Sequence, residues 1–303
     1  MAIPKIAAYP MPTQTEANRV NWQASAQRSV LLVHDMQDYF LDFYDREREP
    51  IPALIANTRR LIDQAHALDI PVFFTAQSPR QKPAERGLLL DMWGPGLTGR
   101  PERARIVEAL APQSHDVVLD KWRYSAFQKS NLLALMREQS RDQLIICGIY
   151  AHIGCMITAC EAFMNDIQAF FVADALADFS PDEHAMALRY VSQRCGAVML
   201  TGDLIDRLAS QLTSQPTSRM PASREELRAL VAGLLRVSVS ELQDEDSLID
   251  WGLDSIRIMS LLENWRRAGR ELTFMTLAEQ PTLAAWWALL ETRPRVEGGG
   301  TAK

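Results

Sequence analysis

Short apolar runs alternate with longer amphipathic segments along the first two thirds of the chain. The runs are rich in β-branched or other apolar residues and are bounded by charged or turn-forming residues, a pattern typical of strands buried on both faces. The predicted strands are residues 29–34, 71–76, 116–119, 143–148, 168–173 and 197–201. Apolar residues spaced three and four apart predict helices between them, at residues 51–68, 103–110, 131–138, 155–165 and 182–194.

The alternation of strand and helix predicts an α/β fold with a doubly wound, mostly parallel sheet and helices on both faces, a Rossmann-type arrangement of three layers. In such sheets the ligand crevice lies outside the carboxyl ends of the strands. Residues that directly follow the predicted strands are therefore the first candidates for chemistry.

The pattern changes towards the end of the chain. Residues 210–221 are polar, contain two prolines and show no apolar period, so they predict a linker behind a first domain at residues 1–209. Residues 222–292 contain several helical stretches and no convincing strand, which predicts a small all-α bundle of four helices. Residues 293–303, with three consecutive glycines, predict a flexible tail.

Composition and charge separate the two predicted domains. The chain has 303 residues, 47% hydrophobic and 23% charged, which is typical of a folded protein. Of its formal net charge of −6, most falls on residues 222–292, which hold 7 basic and 12 acidic residues. Because neither part is basic, the charge distribution argues against a nucleic-acid ligand. The acidic block predicts a module with its own partner surface.

The distribution of cysteines and apolar residues predicts a cytoplasmic protein. The four cysteines stand in apolar stretches without the spacing of metal ligands, so we interpret them as reduced core thiols. The amino terminus lacks the layout of a secretory signal. No apolar run approaches the roughly 20 residues of a membrane span.

Three predicted strand ends carry polar residues. Asp35 directly follows the first predicted strand, Lys121 lies just after the third, and residues 148–155 stand at the end of the fourth. Taken singly, a strand-end aspartate is most often a cap and a lysine a solvated charge. Together and in this order, the three resemble the isochorismatase-like hydrolase superfamily, whose amidase members use an aspartate, a lysine and a nucleophilic cysteine.

The chain departs from the amidase pattern at the nucleophile. The resemblance places Gly154 at that position, and Cys155 lies one residue further, where its side chain points in a different direction. A site without the thiol is not expected to form an acyl-enzyme. The branch of the superfamily that lacks the cysteine is isochorismatase, and residues 75–77, 83–89 and 93–97 also match that branch.

The resemblance implies a reaction and assigns residues to it. Asp35 would give a proton to the vinyl ether of isochorismate, so its carboxyl group must be protonated when the substrate binds. Lys121 and Gly154 complete the implied catalytic set. Whether burial and the substrate carboxylates outweigh Lys121 in setting the pKa of Asp35 stays open from sequence. The residues expected to bind the substrate carboxylates and to form the pocket walls are Gln77, Arg86, Trp93, Tyr124 and Tyr150.

Two further expectations concern the same segments. The superfamily carries a cis peptide that is not followed by proline, here expected between Ile149 and Tyr150. His34 and His152 suggest a metal site with Asp35, but the sequence repeats no His/His/carboxylate spacing, so no metal site is predicted.

A local motif stands in the acidic module. The sequence Gly252-Leu253-Asp254-Ser255 precedes a helix with an apolar stripe at Ile258, Leu261, Leu262 and Trp265. An aspartate and a serine at a helix start can be simple capping residues. In this acidic, helical context, however, the motif resembles the attachment site of acyl and peptidyl carrier proteins, which implies 4'-phosphopantetheine bound covalently to Ser255.

The order of the two domains is similar to that of bifunctional isochorismatases with an aryl carrier domain, which serve catecholate siderophore synthesis. This implies isochorismate as substrate and 2,3-dihydroxybenzoate as the carried group. The implied partners are a 2,3-dihydroxybenzoate-AMP ligase, a phosphopantetheinyl transferase, the condensation domain of a nonribosomal peptide synthetase and a second copy of the hydrolase domain.

Three alternatives stay open at this point. One is an amidase of the nicotinamidase type, which Gly154 disfavours. Another is a non-catalytic carrier with a degenerate hydrolase domain. The third is an amino-isochorismate hydrolase of phenazine pathways, which would not need a carrier.

Overall fold

The computed structural model describes residues 3–214, 220–235, 237–253, 255–267, 270 and 272–292, without the side chains of residues 211–214, 256, 260, 263, 264, 267 and 292. The chain divides into two compact units between Gln211 and Leu212. The last helix of the first unit continues through Ser214, into the predicted linker. Residues 215–219 of that linker and the predicted tail lie outside the described residues.

The first unit contains one sheet of six strands. All neighbouring strands are parallel, in the order β3-β2-β1-β4-β5-β6, so the predicted α/β fold is confirmed. The strands are β1 Ser29–His34, β2 Val72–Gln77, β3 Val117–Lys121, β4 Gln143–Ile149, β5 Gln168–Ala177 and β6 Gly196–Met199.

Helices cover both faces of this sheet. They are α1 Asp38–Leu41, α2 Ile51–Ala67, α3 Pro83–Arg86, α4 Leu89–Trp93, α5 Leu132–Glu138, α6 Met156–Met164, α7 Pro181–Arg194 and α8 Thr201–Ser214. Successive residues of β1 alternate between two separate cores: Leu31 and Val33 pack on one face, Val30 and Leu32 on the other. Burial on both faces is why the strand appears in the sequence as a continuous apolar run.

The strand order creates a crevice beside β1. The chain builds β2 and β3 on one side of β1 and then returns to place β4 on the other side. Connections leave in opposite directions at such a switch point, which opens a space at the carboxyl ends of the strands. Gly148 of β4 pairs with His34 at this edge with φ +113°, and a Cβ there would lie 2.2 Å from the His34 carbonyl oxygen. Only glycine allows β4 to approach β1 so closely.

The predicted helix at residues 103–110 is wrong. The segment forms only two short 3₁₀ turns, Pro101–Arg103 and Glu108–Leu110. Between them the backbone pairs with the segment after β1, where the Asp38 N–H donates to the Arg105 carbonyl at 2.9 Å and the Val107 N–H donates to the Met36 carbonyl at 3.0 Å. A pairing partner about seventy residues away overrides the local helical spacing.

The second unit is helical in its described residues, as predicted. Its helices are α9 Arg224–Leu235, α10 Ser255–Arg267, α11 Phe274–Ala278 and α12 Leu283–Thr292. Two buried indoles form the centre of its core: Trp265 meets Trp286 edge to face at 6.0 Å, and Trp286 Nε1 donates to the Leu277 carbonyl at 2.9 Å. Across the described parts of both units, none of the helices combines the length and apolar character that crossing a membrane requires.

Candidate active site

A pocket of about 570 Å³, partly open to solvent, lies at the carboxyl ends of β1 to β4. All eight residues predicted for catalysis or substrate binding in the first unit line it: Asp35, Gln77, Arg86, Trp93, Lys121, Tyr124, Tyr150 and Gly154. The other lining residues are Ile3, Tyr39, Phe40, Leu89, Arg123, Ile149, Ile153 and Phe179.

Asp35 is the only carboxylate among the lining residues. It follows β1, is buried, and adopts φ +50°. Lys121, the last residue of β3, places its Nζ 3.1 Å from Asp35 Oδ2. Thr75 of β2 donates its hydroxyl to Asp35 Oδ1 at 2.5 Å and accepts the Asp35 N–H at 3.0 Å. Three neighbouring strands therefore fix the position of one carboxyl group.

The charge state of Asp35 follows from these contacts. Burial raises the pKa of Asp35, but the ammonium of Lys121, the nearby His34 and the Thr75 hydroxyl together lower it below its ordinary value. His34 is neutral at pH 7, since burial and Lys121 lower the pKa of its imidazole to about 4. Lys121 is therefore the cation that keeps Asp35 ionised in the free site.

The neutral His34 ring packs directly against Gly154. Its Nδ1 is 2.8 Å from the Ile149 carbonyl oxygen, so the N–H on Nδ1 donates there. The peptide between Ile149 and Tyr150 is cis, as expected from the resemblance. A Cβ on Gly154 would lie 2.2 Å from His34 Cε1 and 2.9 Å from Nε2. Position 154 therefore cannot accommodate a side chain while His34 keeps its place.

Cys155 does not replace the missing nucleophile. It is fully buried and is not among the pocket-lining residues. Burial, together with the negative charge of Asp35, raises the pKa of the Cys155 thiol well above its ordinary value. A buried thiol that stays protonated is a weak nucleophile.

The pocket carries an excess of positive charge. Arg86 is 5% exposed, donates its Nε–H to the Gly94 carbonyl at 2.6 Å, and has no acidic partner among the described residues. Arg123, which sequence reasoning did not assign, donates to the carbonyls of Glu85 at 2.9 Å and Trp122 at 2.7 Å. With Lys121, three cations face one carboxylate, and this imbalance favours an anionic ligand.

Aromatic side chains form one wall. Trp93 Nε1 donates to the Tyr124 hydroxyl at 2.8 Å, and the Tyr150 hydroxyl donates to the Phe40 carbonyl at 3.1 Å. Phe179 contacts the rings of Tyr150 and Trp93, with centroid distances of 4.6 Å and 6.0 Å. Sequence reasoning missed Phe179 because the predicted fifth strand ended at residue 173, whereas β5 continues to Ala177 and delivers Phe179 to the pocket.

Two buried polar residues hold the walls in place. Gln37 brackets the backbone of Gln77, accepting its N–H at 2.7 Å and donating to its carbonyl at 3.0 Å. Asp178 accepts the His152 backbone N–H at 2.6 Å and contacts the His152 ring at 2.5 Å, which fixes the turn Ala151–Cys155 that carries Gly154. His152 and Asp178 are not among the pocket-lining residues.

Ser255 lies in the second unit, where it begins the 13-residue helix α10. Its neighbours Leu253 and Ile258 are each 2% exposed, whereas Ser255 faces solvent. Gly252 has φ +94°, with no atom within 4 Å of a Cβ built there. Asp254 of the predicted motif lies outside the described residues. An exposed hydroxyl at a helix start, with open space nearby, fits the attachment of a phosphorylated arm.

Comparison with known protein families gives two matches. Residues 29–203 match the Isochorismatase domain, and residues 225–290 match the Phosphopantetheine attachment site.

Proteins similar in sequence align with this chain over most of its length or over its first two thirds. An isochorismatase of Bacillus subtilis (strain 168) is 50% identical over 301 residues, covering 97% of this chain and 96% of the relative. Enterobactin synthase component B of Escherichia coli (strain K12) is 48% identical over 292 residues, covering 96% of this chain and 98% of the relative. The phenazine biosynthesis protein PhzD1 of Pseudomonas aeruginosa is 46% identical over 211 residues, covering 67% of this chain and 99% of its own.

Solved structures confirm the fold of the first unit. A cysteine hydrolase from Pseudomonas syringae pv. phaseolicola 1448A superposes with a TM-score of 0.59 at 24% identity, covering 65% of this chain and 99% of that one. An isochorismatase family protein from Burkholderia thailandensis gives a TM-score of 0.53 at 24% identity, covering 64% and 100%.

The overlap between His34 and position 154 can be tested by a double-mutant cycle. Gly154→Ala should lower the free energy of unfolding by about 1–3 kcal/mol, because the added methyl displaces the imidazole. In a His34→Ala background the methyl has room, so the same change should cost clearly less. Urea denaturation measures both values, with Gly202→Ala as control because no atom lies within 4 Å of a Cβ there. Equal costs in the two backgrounds would contradict the overlap.

Proposed function

The chain belongs to the isochorismatase family, and from that premise we propose that its first unit hydrolyses isochorismate to 2,3-dihydro-2,3-dihydroxybenzoate and pyruvate. The observation that carries the proposal is a buried carboxyl group, Asp35, paired with Lys121 in a pocket that Arg86 also lines and that has no thiol among its lining residues. The two cations suit a substrate with two carboxylates. The carboxyl group suits a reaction that needs a proton.

The bond that breaks belongs to an enolpyruvyl vinyl ether. Protonation of its methylene carbon gives an oxocarbenium ion, which one water molecule captures. The resulting hemiketal collapses, breaking the bond between the former ether carbon and the ring oxygen, to give pyruvate and the ring diol. Substrate and one water account for every atom of the products, and only the first step needs an acid from the protein.

Asp35 is the proposed acid, and substrate binding must then change its protonation. In the free site the pKa of Asp35 is lowered, because burial, which raises it, is outweighed by Lys121, His34 and the Thr75 hydroxyl acting together. A substrate carboxylate that binds Lys121 Nζ draws that charge away from Asp35 and adds a negative charge nearby. Both effects raise the pKa of Asp35, so the site takes up a proton as it binds its substrate.

The remaining pocket residues are proposed to hold and orient the substrate. Arg86 offers a rigid guanidinium, which is well suited to a bidentate contact with the second carboxylate, and Gln77 offers an amide at the end of β2. Trp93, Tyr124 and Tyr150 would pack against the cyclohexadiene ring.

We also propose that no acyl-enzyme forms in this pocket. Gly154 has no room for a nucleophilic side chain, and the Cys155 thiol is buried with a raised pKa. These observations support hydrolysis by acid catalysis over the amidase alternative. The convergence of all eight predicted residues on one pocket argues against a degenerate, non-catalytic domain.

The second unit is proposed to carry 2,3-dihydroxybenzoate for a catecholate siderophore. When bound to Ser255, 4'-phosphopantetheine supplies a thiol that holds an aryl group as a thioester. The helix start at Ser255 favours the negative phosphodiester through the helix dipole and free backbone N–H groups. The acidic surface suits docking by basic partners.

The partners proposed from this family are a 2,3-dihydroxybenzoate-AMP ligase, a phosphopantetheinyl transferase and the condensation domain of a nonribosomal peptide synthetase. The presence of the second unit favours this assignment over a phenazine-type hydrolase, whose relative covers only 67% of the chain. Dimerisation through the hydrolase domain, a cytoplasmic location and the absence of a metal stay predictions.

Asp35→Asn should reduce pyruvate release from isochorismate by about 10²–10⁴-fold, because the amide cannot transfer the proton. A coupled pyruvate assay measures the rate. The matched control is Asp38→Asn, which removes a half-buried carboxylate that pairs with Arg46 at 2.8 Å and does not line the pocket. That variant should stay close to the wild-type rate. A fully active Asp35→Asn enzyme would refute the role of Asp35.

The pH dependence follows from the lowered pKa of Asp35 in the free site. The carboxyl group is ionised at neutral pH, so the protonated fraction falls about tenfold for each pH unit. The value of kcat/KM, which reports the free enzyme, should fall with that slope from about pH 5.5 to 8. The value of kcat should stay constant to higher pH, because bound carboxylates raise the pKa. A flat kcat/KM profile over this range would contradict proton uptake by Asp35.

Ser255 should accept one phosphopantetheine arm from coenzyme A in the presence of a phosphopantetheinyl transferase. Intact-protein mass spectrometry detects the addition. Ser255→Ala should show none, and Ser240→Ala, which removes another exposed serine of the same unit, should be modified like the wild type. An adduct that persists in Ser255→Ala would place the attachment site elsewhere.

A further inference from the structure

Two of the four free cysteines contact each other, outside the pocket. Cys160 of α6 and Cys195, the residue after α7, have their sulfur atoms 3.7 Å apart. Neither residue is among those that line the pocket. The two residues belong to the same unit but are 35 positions apart, with β5 and α7 between them, so the contact is a tertiary one.

Little movement separates this contact from a covalent bond. A disulfide has an S–S distance of about 2.05 Å, so the two sulfur atoms must approach by about 1.7 Å. Cys195 lies at the junction of α7 and β6, where the backbone has already left the helix (φ −148°, ψ 2°). Rotation of the Cys160 side chain and a small shift at this junction can supply the approach.

Cys160 is also the more reactive partner. It is half-buried, whereas Cys195 is buried. A hydrogen bond from the Cys195 thiol lowers the pKa of Cys160 despite its partial burial, and the Tyr190 hydroxyl lowers it further. The thiolate is the form of cysteine that reacts with oxidants, and partial exposure gives an oxidant access to it.

We propose that Cys160 and Cys195 form an oxidative modification site, in which a hydroperoxide converts the thiol pair to an intramolecular disulfide. The Cys160 thiolate attacks one peroxide oxygen, breaks the O–O bond and becomes a sulfenic acid, with one water released after protonation. Oxidation removes the Cys160 thiolate, which together with burial raises the pKa of the Cys195 thiol, so the Cys195 sulfur can then lose its proton and attack the Cys160 sulfur, and that proton leaves with the sulfenic hydroxyl as a second water. Two thiols lose two electrons and two protons in total, and one hydrogen peroxide becomes two waters.

Cys147 and Cys155 provide internal comparisons within the same chain. Both are fully buried, and burial raises the pKa of Cys147 to about 12 and that of Cys155 well above its ordinary value. Neither is expected to react with the oxidant while the protein is folded.

The test uses the full-length protein treated with a small molar excess of hydrogen peroxide. After quenching, the protein is unfolded in the presence of an alkylating reagent and its intact mass is measured. We expect two alkylated thiols instead of four, with a non-reduced digest containing a Cys160–Cys195 peptide pair. The reducing control should restore four alkylated thiols.

Single variants separate the two steps. Cys195→Ser should stop at the sulfenic acid of Cys160, which dimedone traps, and Cys160→Ser should leave Cys195 unmodified. Four alkylated thiols in the oxidised wild type, or a disulfide that includes Cys147 or Cys155, would overturn the proposal. The number of alkylated thiols and the peptide pair are measured without substrate, so the outcome does not depend on hydrolase activity.

Discussion

The buried pair of Asp35 and Lys121 is the interaction on which the first unit depends. Two charges have left water and compensate each other at 3.1 Å, and the removal of either would leave an unpaired buried charge, at a cost of about 3–5 kcal/mol. The pair exists only because β1 and β3 end at the same edge of the sheet, with Thr75 of β2 between them. In the proposed mechanism a substrate carboxylate replaces Asp35 as the partner of Lys121, so that ligand binding and the protonation of Asp35 would be one event.

Sequence was sufficient where structure is local or imposed by burial. The first strand was predicted with its observed bounds, because both of its faces are covered and its four central positions, 30–33, are all apolar. Asp35 and Lys121 were found because the carboxyl ends of parallel strands meet at one edge. The helix at residues 103–110 failed because those residues pair with the segment after β1, and no local pattern reports such a partner.

The limits of sequence are clearest at Gly154. The sequence shows a glycine at this position but not why a side chain is excluded. The reason is the His34 ring, which lies against position 154 because His34 pairs with Gly148. Arg123 and Phe179 were missed for related reasons, since both reach the pocket through segments whose course is set by tertiary contacts. Ser255 is the opposite case. The features that single it out are local, a short motif that ends at Ser255 and the apolar stripe of the helix that follows, so a few neighbouring residues were enough to find it.

The placement of Lys121 and Arg86 in the pocket also bears on how the proposed reaction ends. Isochorismate presents both carboxylates on a single molecule, so in the proposed binding mode Lys121 and Arg86 would hold it in the manner of a chelate, each contact raising the effective concentration of the other. Hydrolysis divides these carboxylates between pyruvate and the ring diol. Each product then retains one anionic contact and dissociates independently. Under this proposal, the charge arrangement that favours the intact substrate would also let the products leave once the ether is cleaved.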